Sequence, residues 1–365
     1  MNAFEVADAI AIGIKKEIPD IRIVKLPVSD GGDLMVEILI YKLGGKILHA
    51  PVTDSLGHPV KAKYGVLLDG NTAIIEMAES SGIKLISKNL LNPMKTTTYG
   101  VGQLIQHALN QGYRKLLIGL GGSATVDGGA GMLQALGVRL LNHHGEQIGY
   151  GGAALSELDR IDASQIDSRI KDTEIIAACD VDNVLVGTEG SAMMFGPQKG
   201  ADNIMVKILD SNLSHFAQII HRDLQRDVFT LPYGAANGGA GAALYAFLDA
   251  KLERGIDLIL KYIRFEELLT GSKLIITGEG KLDKQTLRGK APYGIAQIAR
   301  QFGIPVVIVV GQIDKEVNSD DFSIFNAIFP IYNYSMSLQF AFKNAPILVS
   351  AVGEQIGRLL HSGWF

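Results

Sequence analysis

Residues Thr277 to Pro292, TGEGKLDKQTLRGKAP, crowd Glu279, Lys281, Asp283, Lys284, Arg288 and Lys290 into one segment behind the apolar run KLII. Carboxylates and cations gathered at the carboxyl end of a strand suit phosphoryl transfer: a metal and lysines offset phosphate charge, and a carboxylate takes the proton of the accepting alcohol. Glycine and proline around these charges point to a built loop. A second stretch, GLGGSATVDGGAG from Gly119 to Gly131, gives up side chains altogether at six of its thirteen positions. It lies between an apolar run, KLLI, and a helical pattern, MLQALG, where bare main-chain N–H groups and a helix dipole favour an anion. Gly121, Gly122, Ser123, Thr125 and Asp127 are its candidate contacts. AACDVDN ends another apolar run with Asp180 and Asp182, a spacing that could orient Mg²⁺ or a hydroxyl. FGPQKGA holds Lys199 between Pro197 and Gly200, and PVSDGGD presents Asp30.

Other chemistries find less support. GLGGSA satisfies the dinucleotide fingerprint Gly-x-Gly-x-x-Ala, so a Rossmann-type oxidoreductase is one competing reading, but no acidic residue ends a second strand at the required distance. Neither GEGK nor LRGK completes a Walker A loop, and no Gly-x-Ser-x-Gly elbow occurs. His143, His144 and the other histidines show no ligand spacing and read as surface or core residues.

The elements that must position these residues alternate strand, glycine-rich turn and amphipathic helix, the grammar of α/β sheets. KLIIT, a helix from Pro292 to Gly303 and VVIVV make a βαβ unit, which predicts a parallel crossover. IRIVKLPV reads as a strand leading to Asp30. Residues 44–78 alternate strands with close turns and predict an antiparallel meander. Ile204, Ile208, Phe216, Ile219, Ile220 and Leu224 form a stripe expected to face a core. Ala3 to Ile18 reads as a helix stopped by Pro19, so the chain enters its first sheet one element late. The expected organisation is a discontinuous domain of residues 1–43 plus 263–365 with a mixed α/β domain, residues 44–262, inserted in it.

The chain has 365 residues, 47% of them hydrophobic and 20% charged, which allows two full cores. Its net charge of −4 argues against a nucleic-acid partner. Cys179 is the single cysteine, which removes intrachain disulfides and fits a reducing compartment. The opening MNAFEVADAI carries Glu5 and Asp8 where a secretory signal wants basic residues, and no apolar run reaches membrane-spanning length, so the expected location is cytoplasmic with no membrane partner.

In order, PVSDGG, TTTYGVGQLI, GLGGSATVDGGAGMLQALG, ACDVDN, FGPQKGA, GAANGGAGAAL and TGEGKLDKQTLRGKAPYGIA resemble the bacterial type I glycerate kinases over nearly the whole chain. The resemblance implies two α/β domains with a cleft between them, one flavodoxin-like with a parallel doubly wound sheet. It implies ATP and Mg²⁺ phosphorylating D-glycerate, usually at the 2-hydroxyl. On that reading Gly121, Gly122, Ser123, Thr125 and Asp127 bind phosphate or the glycerate carboxylate, with Asp30 beside them. Lys199, Lys281, Lys290 and Arg288 offset anionic charge. Asp180, Glu279 and Asp283 are the candidates for hydroxyl activation, and Asp180 with Asp182 for Mg²⁺. The sequence departs from the family in three places. The usual first strand and its Asp-Ser-Phe-Lys loop have no counterpart before Ala3. Asp33, Leu34 and Met35 stand for glutamate, glycine and threonine, and Val126 stands for an asparagine. A relative that binds glycerate or nucleotide without turnover is therefore a second reading. Monomer and homodimer are both open.

Overall fold

The computed structural model describes residues 1–283, 286, 290–315, 322–332 and 336–363. The chain forms two compact units, residues 30–259 and residues 1–29 with 260–365. Both are α/β.

The larger unit is built on a six-stranded sheet. Its strands are β1 (Gly45–Thr53), β2 (Pro59–Leu67), β3 (Thr72–Glu76), β4 (Lys115–Leu120), β7 (Glu174–Cys179) and β8 (Lys251–Arg254), in that order across the sheet. A small hairpin, β5 (Arg139–Leu141) with β6 (Arg160–Asp162), lies outside it. β1, β2 and β3 pair antiparallel, as the close turns predict, whereas β3, β4, β7 and β8 run parallel. The parallel strands are apolar along their whole length because both faces are covered: β3 and most of β4 and β7 are buried. The carboxyl ends of β3, β4 and β7 therefore share one edge, where Glu76, Gly119 and Ala178 are neighbours across the ladders.

The helix Met35–Leu43 belongs to this unit, not to the N-terminal piece as its position suggests. Met35, Val36, Ile38 and Leu39 are buried, and the helix packs on β1, β2 and β3. Its first N–H, from Met35, donates to Glu76 Oε1 at 2.6 Å. Glu76 is buried beside Glu37 and Glu79 with Lys63 to offset them, and burial followed by the Glu37 charge pushes its carboxyl up to about 7. Of the apolar stripe on the helix Asn203–Leu224, Phe216, Ile219 and Ile220 are buried. Ile204 and Ile208 are exposed, because the buried face at that end is carried by Val206 and Leu209.

In the smaller unit, β9 (Ile275–Leu282), β10 (Val306–Ile313) and β11 (Ala327–Pro330) form a parallel sheet in the order β11, β10, β9 among the described residues. The crossover between β9 and β10 is the helix Ala291–Gln301. Strand alternation sends Val306, Ile308 and Val310 toward Ala296 and Ala299 of that helix. Val307 and Val309 pack against Ile10, Ile14, Val349 and Ile356 on the other face. Those last four come from the helices Ala3–Glu17 and Ala345–His361, which pack so closely that a Cβ on Gly13 would lie 2.0 Å from the Ser350 carbonyl oxygen. Asn2 and Glu5 close a reciprocal capping box at the first helix. IRIVKLPV is no strand: Ile21 and Ile23 pack on this core, but their backbone joins no ladder. Among the described residues no helix is long and apolar enough to cross a membrane.

Two outcomes test this account. Leu34, at the N-cap of the helix Met35–Leu43, has φ 68°, a left-handed conformation that costs a branched residue ~1–2 kcal/mol. Leu34→Gly should therefore raise stability by roughly 1 kcal/mol in urea denaturation. For Glu76 the folded value lies above the ordinary 4.5, so the folded chain holds a proton that the unfolded chain releases between those values. Stability should fall as pH rises from about 4.5 to about 7, by a few kcal/mol at most. Glu76→Gln, which keeps the acceptor for Met35, should flatten that slope in melts taken across the window.

Candidate active site

At the carboxyl edge of β4 and β7, main chain packs directly on main chain. The segment from Asp30 to Gly32 crosses the edge so closely that side chains are excluded. A Cβ on Gly31, at φ +96°, would meet the Ala178 carbonyl oxygen at 2.9 Å, and one on Gly121 would meet Gly32 Cα at 2.6 Å. Asp30 and Asp180 are thereby brought to the same spot, each partly buried. Burial, and next the Asp30 charge, pushes the Asp180 carboxyl up to about 7.

Lys199 ends the short turn Pro197–Lys199 and reaches inward from it, only 4% exposed. Its Nζ donates to Ser123 Oγ at 2.9 Å and to the Thr125 carbonyl oxygen at 2.7 Å. No carboxylate among the described residues lies within ion-pair distance of it, although Asp180 and Asp127 act on it electrostatically. Burial lowers the ammonium to about 8. An ammonium has three protons to give, and two are accounted for. Two further polar atoms close by are buried without a partner, Thr125 Oγ1 and Asn237 Nδ2. Sites that leave buried donors short of acceptors are places where a ligand's oxygens would complete the count.

Residue type alone does not single out Asn237, yet it sits at the hub. Asn237, Gly238 and Gly239 are three successive residues at positive φ, 55°, 75° and 94°, which interrupt the helix Ala236–Leu248. The kink lets Asn237 Oδ1 accept the Ser123 N–H at 3.2 Å and lets the Gly238 carbonyl accept the Gly128 N–H at 2.9 Å. The readable signal was Asn followed by two glycines, the residues that tolerate left-handed backbone.

Several expectations change. The Ser123 N–H is spent on Asn237, so Ser123 offers its hydroxyl rather than its amide. Asp127 touches no ligand surface: fully buried, its carboxylate accepts from Thr98 N–H and Oγ1 and from the Gly129 and Gly131 N–H groups, which sets the shape of the turn. Asp182 does not join Asp180. It is exposed, and the neighbour of Asp180 is Asp30. Asp33, which stands for the family's glutamate, is exposed and pairs with Lys84, while Met35 is buried under its helix. Val126 is fully buried in the core. The dinucleotide reading fails on geometry, because the helix after β4 starts only at Ala130, with nine residues between it and the strand, instead of opening at the glycines.

The smaller unit carries a second group. Glu279 Oε1 accepts from Thr286 Oγ1 at 2.6 Å, and the Thr286 and Asp283 main chain and side chains bond reciprocally at 3.1 and 3.2 Å. Lys290 Nζ lies 3.7 Å from Glu279 Oε2 and 3.5 Å from Asp283 Oδ1, and Lys281 pairs with Asp314. Burial raises the Glu279 carboxyl, with Thr286 and Lys290 pulling the other way. Arg288 and Lys284 lie outside the described residues. No three acidic, histidine or cysteine side chains gather into a metal cage among the described residues.

Residues 1–361 match the model of the glycerate kinase family. The chain belongs to that family. It is 44% identical to the glycerate 2-kinase of Escherichia coli K12, covering 100% of this chain and 95% of that protein. The glycerate kinase of Bacillus subtilis 168 is also 44% identical, over 94% of this chain and 90% of its own. A crystal structure of a candidate glycerate kinase 2 from Salmonella typhimurium LT2 superposes with a TM-score of 0.83 at 42% identity, over 100% of this chain and 96% of that one. A member of a glycerate kinase family is a phosphotransferase, and the α/β fold agrees with that of the solved relative.

The turn at Asn237 can be tested directly. A Cβ on Gly238 would stand 2.0 Å from the Thr125 carbonyl oxygen, at a φ that disfavours it. Gly238→Ala should cost at least ~2 kcal/mol in chemical denaturation, because both backbone strain and a clash with main chain must be relieved.

Proposed function

We propose that this kinase transfers the γ-phosphoryl group of ATP to D-glycerate, at the 2-hydroxyl, giving 2-phosphoglycerate and ADP. One observation carries the reading: an ammonium, Lys199, is buried at a glycine-rich turn, hydrogen-bonded to neutral oxygens and, among the described residues, with no carboxylate within ion-pair distance. Burying an unpaired charge is costly, and an anionic substrate removes the deficit. The names of the relatives at 44% identity support glycerate as that anion and the 2-hydroxyl as the acceptor.

In this reading Gly121, Gly122, Ser123 and Thr125 line the anion position, with Lys199 supplying charge and the Ser123 and Thr125 hydroxyls supplying hydrogen bonds. Asp180 is the carboxylate at that turn and accepts the hydroxyl proton as the oxygen attacks phosphorus. Glu279, Lys281, Asp283 and Lys290 serve the phosphate end of the reaction, where the lysines offset charge and Glu279 and Asp283 hold Lys290 in place. Mg²⁺ is bound through one or two carboxylates with phosphate oxygens and water completing its shell, so a full protein cage is not required. Asp30, partly buried beside Asp180, fits that donor set, and the ion would supply charge neutralisation between the phosphates. The helix-covered parallel sheet of the smaller unit supports a flavodoxin-like reading of it. The free thiol and the absence of an apolar spanning helix among the described residues agree with a cytoplasmic enzyme.

The test is glycerate-dependent ADP release followed in a coupled assay with Mg²⁺, with the product identified by NMR. Asp180→Asn should lower kcat by ~10²–10⁴-fold with little change in ATP binding. Lys199→Met should weaken glycerate binding in calorimetry. Wild-type glycerate binding with no turnover would remove the proposal in favour of a binding-only relative.

A further inference from the structure

In the larger unit the side-chain amide of Asn237, a residue only 8% exposed, is half used. Oδ1 accepts the Ser123 N–H at 3.2 Å, whereas Nδ2 is buried without a partner. The first bond fixes the orientation of the amide, because turning it over would set Nδ2 against another N–H donor. Asn237 therefore presents donors, and nothing else, on its other arm. The backbone does not explain that choice: at φ 55° a glycine would be freer, as at Gly238 and Gly239. Nor does the Ser123 bond, since an aspartate accepts an N–H equally and tolerates the same left-handed conformation. What distinguishes an asparagine here is the pair of protons on Nδ2, buried at the full cost of their desolvation.

Shared partners hold this amide beside Lys199 and Thr125. Lys199 Nζ donates to Ser123 Oγ at 2.9 Å while Asn237 takes the N–H of the same residue. Lys199 Nζ also donates to the Thr125 carbonyl oxygen at 2.7 Å, and Gly238, next to Asn237, packs on that same oxygen so closely that a Cβ would stand 2.0 Å from it. Thr125 Oγ1, fully buried, has no partner either. The turn reaches solvent at Gly122. The donor set thus holds one positive charge and two neutral groups. It matches a carboxylate, with one negative charge shared by two oxygens. A phosphate dianion fits less well, because its second charge would enter where Asp127 and Asp180 already act on Lys199. We infer that Asn237 is a substrate-binding residue whose Nδ2, with Lys199 and Thr125 Oγ1, grips the carboxylate of the hydroxy acid. Donors buried for a carboxylate reject an acceptor alcohol that lacks one, because such a ligand leaves them unpaired. The inference rests on the glycerate reading and adds which group of that substrate the turn holds and which residue selects it.

Two substitutions separate binding from shaping of the turn. Asn237→Asp keeps the acceptor for Ser123 and the backbone preference but puts an anionic oxygen where Nδ2 was. Asn237→Gly keeps the backbone and removes both side-chain atoms. With folding of each checked by melting without ligand, calorimetric titration of D-glycerate should show Kd raised about tenfold in Asn237→Gly and about a hundredfold or more in Asn237→Asp, where a lost donor becomes a like charge. In the coupled assay at saturating ATP and Mg²⁺ the Asn237→Gly loss should fall on KM, with kcat within about threefold of wild type, as for a group that holds substrate and transition state alike. If Asn237→Asp does not fold, this split decides. A residue that only shapes the turn gives the reverse order, Asn237→Asp binding like wild type and Asn237→Gly impaired, and that result overturns the inference. So does inorganic phosphate displacing glycerate at equal concentration, which would give the turn to a phosphate. Wild type that phosphorylates glycerate while both variants bind it unchanged removes this inference alone. Wild type that neither binds nor phosphorylates glycerate removes the kinase reading, and this inference with it.

Discussion

Main chain touching main chain is the constraint on which the larger unit's site depends. At the carboxyl edge of β4 and β7 the Asp30–Gly32 segment lies on Ala178 and Gly121 at distances that admit no Cβ. Asp30, Asp180 and the start of the glycine turn converge because nothing stands between the backbones carrying them. Glu76 takes the first N–H of the helix that follows, so the segment is anchored at its exit as well. A single added methyl group at this edge would separate the carboxylates from the turn. The glycine content of the chain is thus a requirement of geometry at a few named contacts, and the chemistry inherits its precision from them.

Polar satisfaction divides the two groups of candidate site residues. Around Glu279 the charges neutralise one another: Lys290 lies between two carboxylates, Thr286 donates to Glu279, and Lys281 has Asp314. Around Lys199 they do not. The ammonium is buried with neutral oxygens as its hydrogen-bond partners, burial and the Asp30 charge push the Asp180 carboxyl up to about 7, and Thr125 Oγ1 and Asn237 Nδ2 are buried without a partner. Such an arrangement lowers stability in the absence of ligand and is retained where binding repays it. The same contrast explains why Asp127, chemically identical to Asp180, has a different role: its four hydrogen bonds complete its shell and leave nothing for a substrate.

Two of the departures from the family pattern, at Asp33 to Met35 and at Val126, are local in this light. Leu34 adopts the left-handed backbone that a glycine would take there freely, and Met35 is buried under its helix. The loop keeps its course over the sheet edge, because Gly31 and Gly32 are the residues that make the contact. Val126 sits in the core, where an apolar side chain is accommodated without cost.

Much was legible in the chain by itself. Period-two and period-3.6 patterns located the parallel β9–helix–β10 unit, the antiparallel β1–β3 meander and the N-terminal helix, because these depend on local propensity and on which residues must be buried. The glycine turn, Asp180 and Lys199 stood out as candidates by residue type and by the glycines or strand ends beside them. The rest required the third dimension. IRIVKLPV has a strand's composition but no ladder partner. Asp182 has the right chemistry two residues from Asp180 but points its side chain to solvent. Asn237, 114 positions from Ser123, meets it only because three left-handed residues turn a helix back on the glycine loop. Sequence determines what each segment can do, since propensity and chemistry are properties of neighbours along the chain. Which groups end up paired, and which are left wanting a ligand, is decided by contacts between distant segments.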